Sequence, residues 1–440
     1  MDFTHLEAMH QIMPSKPGFY AQFTPKLVTV FREGYGWRDL RADAVAGLTV
    51  AVVALPLSMG IAIASGVSPE RGIYTAIAGG FIVSLLGGSR FQIGGPAGAF
   101  IGIVAGVVAR HGYDGLALAT AMSGLILFAA ALLRAGTYVK YIPHPVIVGF
   151  SAGIAVIIAA SQIGELLGLT LAHEPPDLLP KLAALSQALP TLQWQTVLLG
   201  AFSVATILIV RKINPILPAF LIAIATATAI SFLLHLDVAT VASRFGEVPR
   251  SLPAPSFPVL SIERLQALLP DAIAMAVLGA IESLLSAIVA DKMGDARHRS
   301  NGELGAQGLA NIVSVAFGGF CVTGTIARTA TNVRSGARGP VAGMLHSIYL
   351  LVFLFVAAPL VGFIPLSALA AMLIVVSWNM VERAEIAALL RGKGDDLHAG
   401  AAILLATFLL TIFINLLVGI AVGAALGVLF YYLRRRRSAV

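Results

Sequence analysis

The feature that most limits what this chain can fold into is a series of apolar runs, each of about 17 to 25 residues, recurring from Asp43 to Leu433. Each run is long enough to cross a hydrocarbon core of about 30 Å as an α-helix, and the runs lack the alternation that a transmembrane barrel requires. Composition agrees: 58% of the residues are hydrophobic and 12% charged, against about a quarter charged in a soluble domain. The solvent for most of the chain is lipid, and the expected fold is an all-α integral membrane protein.

Read in this way the chain holds fourteen segments, at 43–64, 71–87, 96–109, 115–133, 145–167, 195–210, 215–236, 270–291, 303–317, 325–336, 340–358, 364–381, 398–413 and 415–433. With a cytoplasmic N-terminus, 22 of the 29 lysines and arginines fall on the cytoplasmic side, Lys16, Lys140, Lys393 and Arg434 to Arg437 among them. Six fall on the other side, and Arg328 sits inside a segment. This asymmetry supports both the orientation and the even count, because a miscounted helix would scramble every later loop. A cytoplasmic segment 1–42, a membrane domain 43–433 and a basic cytoplasmic tail 434–440 are expected. The formal charge of +7 is then a topology signal, with lipid headgroups rather than nucleic acid as its partner. Residues 1–41 have no apolar h-region or small-residue cleavage site, so they are not read as a signal peptide. The single cysteine, Cys321, excludes an intrachain disulfide.

Two segments are too short and too broken to be ordinary spans. The third follows Gly88-Ser89-Arg90-Phe91-Gln92-Ile93-Gly94-Gly95 and opens at Pro96, a residue suited to a first helical turn. The tenth follows Gly318-Gly319-Phe320-Cys321-Val322-Thr323-Gly324 and opens near Thr325. Each reads as a short extended strand followed by a half-helix. They stand seven segments apart, and an odd spacing makes the second half of the chain enter from the opposite side: a 7+7 inverted repeat. The two half-helix N-termini then converge in mid-membrane, where unpaired N–H groups and dipole ends favour an anion. Gly94, Gly95 and Gly98, beside Ala97 and Ala99, leave the backbone open to a ligand. Small residues also let helices pack closely, but that role does not account for two such motifs at matching positions.

Arg328, one turn into the second half-helix, adds a full charge to this site, and a charge within a span is a functional candidate by default. Glu282 lies about 17 Å along its helix from Asp271, near the bilayer midplane, with Ser283 beside it and Ser286 on its face. Three roles are open for this carboxyl group: a proton carrier coupled to anion arrival, a fixed ion pair with Arg328, or a sodium ligand. His346, Asn311 and Gln307 are expected to be interhelical hydrogen-bonding groups. The connection 171–190 is proline-bearing and weakly amphipathic, 237–270 is read as an irregular surface loop because of its prolines, and 382–396 as a short cytoplasmic helix. No metal cluster, no ATP-binding P-loop and no catalytic triad spacing occurs, so neither an enzyme nor a primary pump is expected, and no cofactor is implied.

The run Asp43-Ala44-Val45-Ala46-Gly47-Leu48-Thr49-Val50 with Ala54-Leu55-Pro56, then Ser65-Gly66-Val67-Ser68-Pro69, Gly72-Ile73-Tyr74 and Gly94-Gly95-Pro96-Ala97-Gly98, resembles the sulfate permease (SulP) family, bacterial relatives of solute carrier family 26. Glu282-Ser283-Leu284-Leu285-Ser286-Ala287, Ala290-Asp291, Asn301-Gly302-Glu303-Leu304 and Gln307-Gly308-Leu309-Ala310-Asn311 are similarly characteristic. The resemblance implies a UraA-like fold with a core domain (43–134 and 270–358) that moves against a gate domain (145–236 and 364–433). It also implies a homodimer in the plasma or inner membrane, and a small anion held by Ala97, Gly98, Ala99, Thr325, Ile326, Ala327 and Arg328. The implied function is secondary active transport of a dicarboxylate, bicarbonate or sulfate, coupled to protons through Glu282; sodium-coupled bicarbonate symport and anion exchange are the alternatives, with nucleobase transport behind them.

This chain departs from the family pattern in three ways. Leu57 replaces a glutamine common in sulfate-type members, and Ala97 replaces a threonine expected of a bicarbonate-type member. Glu282 replaces the aspartate of sodium-coupled relatives, which favours protons. The cytoplasmic STAS domain of most members is not present in 1–440.

Overall fold

The structure is a computed structural model and describes residues 19–137, 143–171, 174–175, 177–214, 217–294, 296–391 and 395–437. Lys16, Lys140, Lys393 and the last three residues of the basic tail lie outside the described residues.

All fourteen expected segments are helical. Two short helices, α1 (Phe19–Phe23) and α2 (Lys26–Arg32), precede α3 (Trp37–Ala64), which begins six residues before the expected 43. The second segment is α4 (Pro69–Tyr74) and α5 (Gly80–Leu86), joined by a π-helical turn at Thr75–Gly79. After strand β1 (Gly94–Gly95), a 3-10 turn at Gly98–Phe100 leads into α6 (Ile101–Leu132). Helix α6 holds segments three and four, which part at Gly112 with φ 65°. Helices α7 (His144–Leu167), α8 (Leu178–Ala188), α9 (Trp194–Ile213), α10 (Ala219–Leu233) and α11 (Val241–Phe245) complete the first half.

The second half repeats the pattern. Helices α12 (Ile262–Gly294) and α13 (Ser300–Ala316) lead to strand β2 (Thr323–Gly324) and the half-helix α14 (Ile326–Arg334). Helices α15 (Val341–Val361), α16 (Leu366–Met380), α17 (Arg383–Arg391), α18 (Asp395–Phe413) and α19 (Leu416–Arg437) follow. Among the described residues, seven helices are long and apolar enough to cross a membrane unaided.

Three boundaries differ from expectation. The third segment starts at Gly98 rather than Pro96, because Ala97 stays extended (φ −114°, ψ 143°) at the helix N-cap. Residues 237–270 are less irregular than their prolines suggest: α11 forms within them, and α12 starts at Ile262 and runs through Pro270. The carbonyl of Gln266, which Pro270 deprives of a partner, lies on an exposed stretch where solvent can satisfy it. Within the weakly amphipathic connection 171–190, residues 178–188 form α8.

The helices pack in two sets. Helix α6 lies against α12 and α13, and α3 against α4 and α15; helix α7 lies against α16 and α18, and α9 against α10 and α16. A close crossing in the first set joins α6 to α13, where a Cβ on Gly124 would sit 2.6 Å from the carbonyl oxygen of Gly308, and a Cβ on Gly308 2.6 Å from that of Gly124. Only glycine permits backbones this close.

Between the two halves, β1 and β2 pair antiparallel, with Gly94 opposite Gly324 and Gly95 opposite Thr323. Extended backbone at this depth must find partners inside the protein. Side chains supply them. Asn311 accepts from the Val322 amide at 3.0 Å and donates to its carbonyl at 2.9 Å. Thr75, in the π turn, accepts from the Phe320 amide at 2.8 Å, and Ser314 donates to the Phe320 carbonyl at 2.7 Å. Thr329 accepts from the Ile93 amide at 3.1 Å, and Asn332 donates to the Phe91 carbonyl at 2.9 Å.

Candidate functional site

The strand pair brings the two half-helix N-termini face to face. On the first, Phe100 bonds back to the carbonyl of Ala97, which leaves the amides of Gly98 and Ala99 in the unpaired first turn. On the second, Thr325 is the N-cap; its own amide is taken by the Ile93 carbonyl at 3.0 Å, and the first helical bond is that of Thr329 to Thr325. The amides of Ile326, Ala327 and Arg328 are the open donors at that end.

Arg328 is buried, at 2% exposure, and reaches across to the first half-helix. Its Nη2 donates to Ser58 Oγ at 3.0 Å and to the Pro96 carbonyl at 3.5 Å. Its Nε and Nη1 have no hydrogen-bond partner in the protein. The guanidinium lies on the backbone of Gly95, where a Cβ would stand 1.7 Å from Nη1. Gly95 therefore makes room for Arg328, not for a ligand as its sequence context suggested. Gly324 does the same for Gln92, whose Nε2 would be 1.3 Å from a Cβ there and which donates to the Ser283 carbonyl at 3.1 Å.

Glu282 does not pair with Arg328: among the described residues no ion pair joins them. The carboxyl group lies instead within electrostatic reach of Cys321. Its neighbours on α12 tie that helix to the second half-helix. Ser283 Oγ lies 2.6 Å from Thr323 Oγ1, and Ser286 donates to Thr329 Oγ1 at 3.1 Å. Of the expected interhelical groups, Asn311 bonds the extended segment at Val322 and the Gln307 carbonyl of its own helix. Gln307 bonds within its own helix, to Glu303 at 2.8 Å, and His346 has no partner at either ring nitrogen. Helix geometry places Gln307 over Glu303, one turn away on the same helix.

A cavity of about 570 Å3 opens beside the first half-helix, between the two sets of helices. Gly98, Ala99 and Gly102 line one wall, Ile154, Ile157 and Ile158 the other. Arg110 and Asp271, joined at 2.8 Å, stand with Asp177 and Asn415 along its length. Residues 325–328 do not line it; Ile326 and Ala327 are exposed, while Thr325 and Arg328 are buried behind the strand pair. Serine 58 was not singled out from the sequence. Its place two residues after Pro56, which interrupts the hydrogen bonding of α3 at mid-helix, is the signal that marks it.

The model of the sulfate permease family matches residues 40–403 of this chain. The chain belongs to the sulfate permease family. It is 42% identical over 379 residues to the putative sulfate transporter YvdB of Bacillus subtilis, covering 86% of this chain and 71% of that one. The bicarbonate transporter BicA of Picosynechococcus is 32% identical over 363 residues, 79% of this chain and 64% of BicA. The solved transmembrane domain of a cyanobacterial BicA superposes with a TM-score of 0.78 at 32% identity, covering 88% of this chain and 98% of that domain. Murine Slc26a9 shares the fold, with a TM-score of 0.84 at 17% identity over 98% of this chain and 75% of that one. This sulfate permease family member is thus a multi-spanning membrane protein of an anion-transporter family, not an enzyme, and its fold is the UraA-like one.

Proposed function

We propose that the protein is a secondary active transporter that carries a small anion together with protons. The observation that carries this reading is Arg328: a guanidinium 2% exposed, held only by neutral acceptors, between two half-helix N-termini. Unpaired positive charge at membrane depth is costly, and an anion completes it. The open amides of Gly98 and Ala99, and of Ile326 to Arg328, supply directional donors from both sides.

Transport follows if the set of helices around α6, α12 and α13 moves as a core against the gate set around α7 and α18, which carries the site past the cavity wall at Ile154 to Ile158. Glu282 is the coupling residue: among the described residues it has no ion-pair partner, and it sits one residue from Ser283, which is tied to the second half-helix through Thr323. The protein works in the plasma or inner membrane with both termini cytoplasmic, as a homodimer.

The test is uptake of labelled sulfate, bicarbonate and succinate into proteoliposomes, with and without an inward proton gradient. Uptake of at least one anion that rises with the proton gradient and ignores sodium is the expected result. Sodium-dependent, pH-independent uptake would overturn proton coupling. Sodium-driven bicarbonate uptake is the second reading, and the likeness to the bicarbonate transporter BicA supports its substrate.

A further inference from the structure

The wall of the cavity nearest the first half-helix carries Gly98, Gly102, Gly106 and Arg110, each four residues from the next and so on one helical face. Three positions without side chains leave a trough along α6. It runs from the open amides of the half-helix to Arg110, about 18 Å further along the axis. The guanidinium bends back along that trough: its Nη1 lies 3.4 Å from where a Cβ on Gly106 would stand, on the side toward Gly98. Its Nη2 is held from α12, by Asp271 Oδ1 at 2.8 Å and Oδ2 at 3.0 Å. Both carboxylate oxygens thus share one nitrogen, and Nη1 is left for the cavity that Arg110 borders.

Two bland roles for this pair do not match the geometry. A latch would join the two sets of helices, whereas α6 and α12 belong to the same set. A stabilising ion pair would be buried, whereas these side chains are 54% and 21% exposed, and wet pairs contribute little. Among the described residues lining the cavity, Arg110 is the one cation; Asp271 stands beside it, and Asp177, at the N-cap of α8, faces the cavity from the other set.

We propose that Arg110 is an entry subsite for the anion: its free edge receives the solute at the wet end of the cavity and hands it along the glycine trough to the half-helix ends. Asp271 holds the guanidinium in place and keeps its grip on the solute weak. A guanidinium with one nitrogen engaged still offers donors in its plane to the oxygens of a carboxylate, bicarbonate or sulfate. Conduction needs sites that bind firmly enough to capture and loosely enough to release. One cation against two carboxylates makes a passing place; Arg328, which no carboxylate pairs among the described residues, is the resting place. In the proposed orientation this end of α6 faces away from the cytoplasm.

This role rests on the anion-transport reading, and the experiment separates the two. Initial uptake of labelled sulfate, bicarbonate and succinate is measured in right-side-out and inside-out membrane vesicles under an imposed proton gradient. Wild type, Arg110→Gln, Arg110→Lys and Asp271→Asn are compared, with the melting temperature of each purified protein as the folding check. In right-side-out vesicles Arg110→Gln should raise KM about fivefold or more, Arg110→Lys should stay within about threefold of wild type, and Asp271→Asn should lower KM. In inside-out vesicles the KM of all three variants should stay within about twofold of wild type. Should Arg110→Gln fail to fold, the Lys and Asn variants carry the test. Arg110→Gln with the KM of wild type, or Asp271→Asn raising KM as loss of a structural ion pair would, overturns the entry subsite alone. Wild type carrying none of the three anions would remove the transport reading, and this role with it.

Discussion

At the scale of the residue, the site depends on what surrounds one guanidinium. Replacing Arg328 by alanine removes a full charge from between the half-helix ends, and initial uptake in proteoliposomes should fall at least about tenfold, mainly through KM. Gly95→Ala should act similarly while leaving the arginine in the chain, because a Cβ there would stand 1.7 Å from Arg328 Nη1 and must displace it. Uptake equal to wild type in a well-folded Gly95→Ala protein would show that the guanidinium is not placed for transport. For Glu282→Gln, the expected outcome is loss of stimulation by a proton gradient with anion counterflow retained, since a fixed neutral side chain carries no proton. The residue types were legible: a charge inside a span and a carboxyl group near the midplane mark themselves. Their partners were not. Arg328 meets Ser58 and the Pro96 carbonyl rather than Glu282, because the rotation of α12 and α14 about their axes decides which side chains meet.

At the scale of the element, the notable units are two strands of two residues each, held in the membrane interior. Their backbone groups survive there because neighbouring helices present side chains to them. Asn311 serves both backbone groups of Val322, so Asn311→Leu would leave two buried groups unpaired at about 1–3 kcal/mol each. A lower melting temperature, with the anion affinity of the surviving folded fraction also reduced, is the expected outcome of thermal unfolding and binding measurements. A stability equal to wild type would mean that Val322 is satisfied in another way. The breaks themselves could be read from Gly-Gly and the short apolar runs around 94 and 324, and their place along the chain to within a few residues. The start at Gly98 and the path of α12 through Pro270 could not, because proline is tolerated wherever the carbonyl it orphans finds another partner.

At the scale of the whole molecule, the two sets of helices leave a cavity of about 570 Å3 beside the first half-helix. Ile157 and Asn415 both line it, one from α7 and one just before α19. Cysteines placed singly at these positions, in a Cys321→Ser background, should react with a membrane-impermeant maleimide added from the face opposite the termini. A transported anion should slow that reaction at Ile157 as the site cycles away from the cavity. Labelling only from the terminal face would reverse the proposed sidedness. The sequence by itself determined that lipid is the solvent, how many times the chain crosses it, and where two crossings are broken, because hydropathy, charge asymmetry and glycine placement are properties of single segments. Only the tertiary structure decided that the broken ends form one paired unit, that Gly95 is a seat for Arg328, and that the guanidinium is left without a carboxylate. Those facts depend on the depth and rotation of helices from both halves of the chain, which packing sets and no single segment encodes.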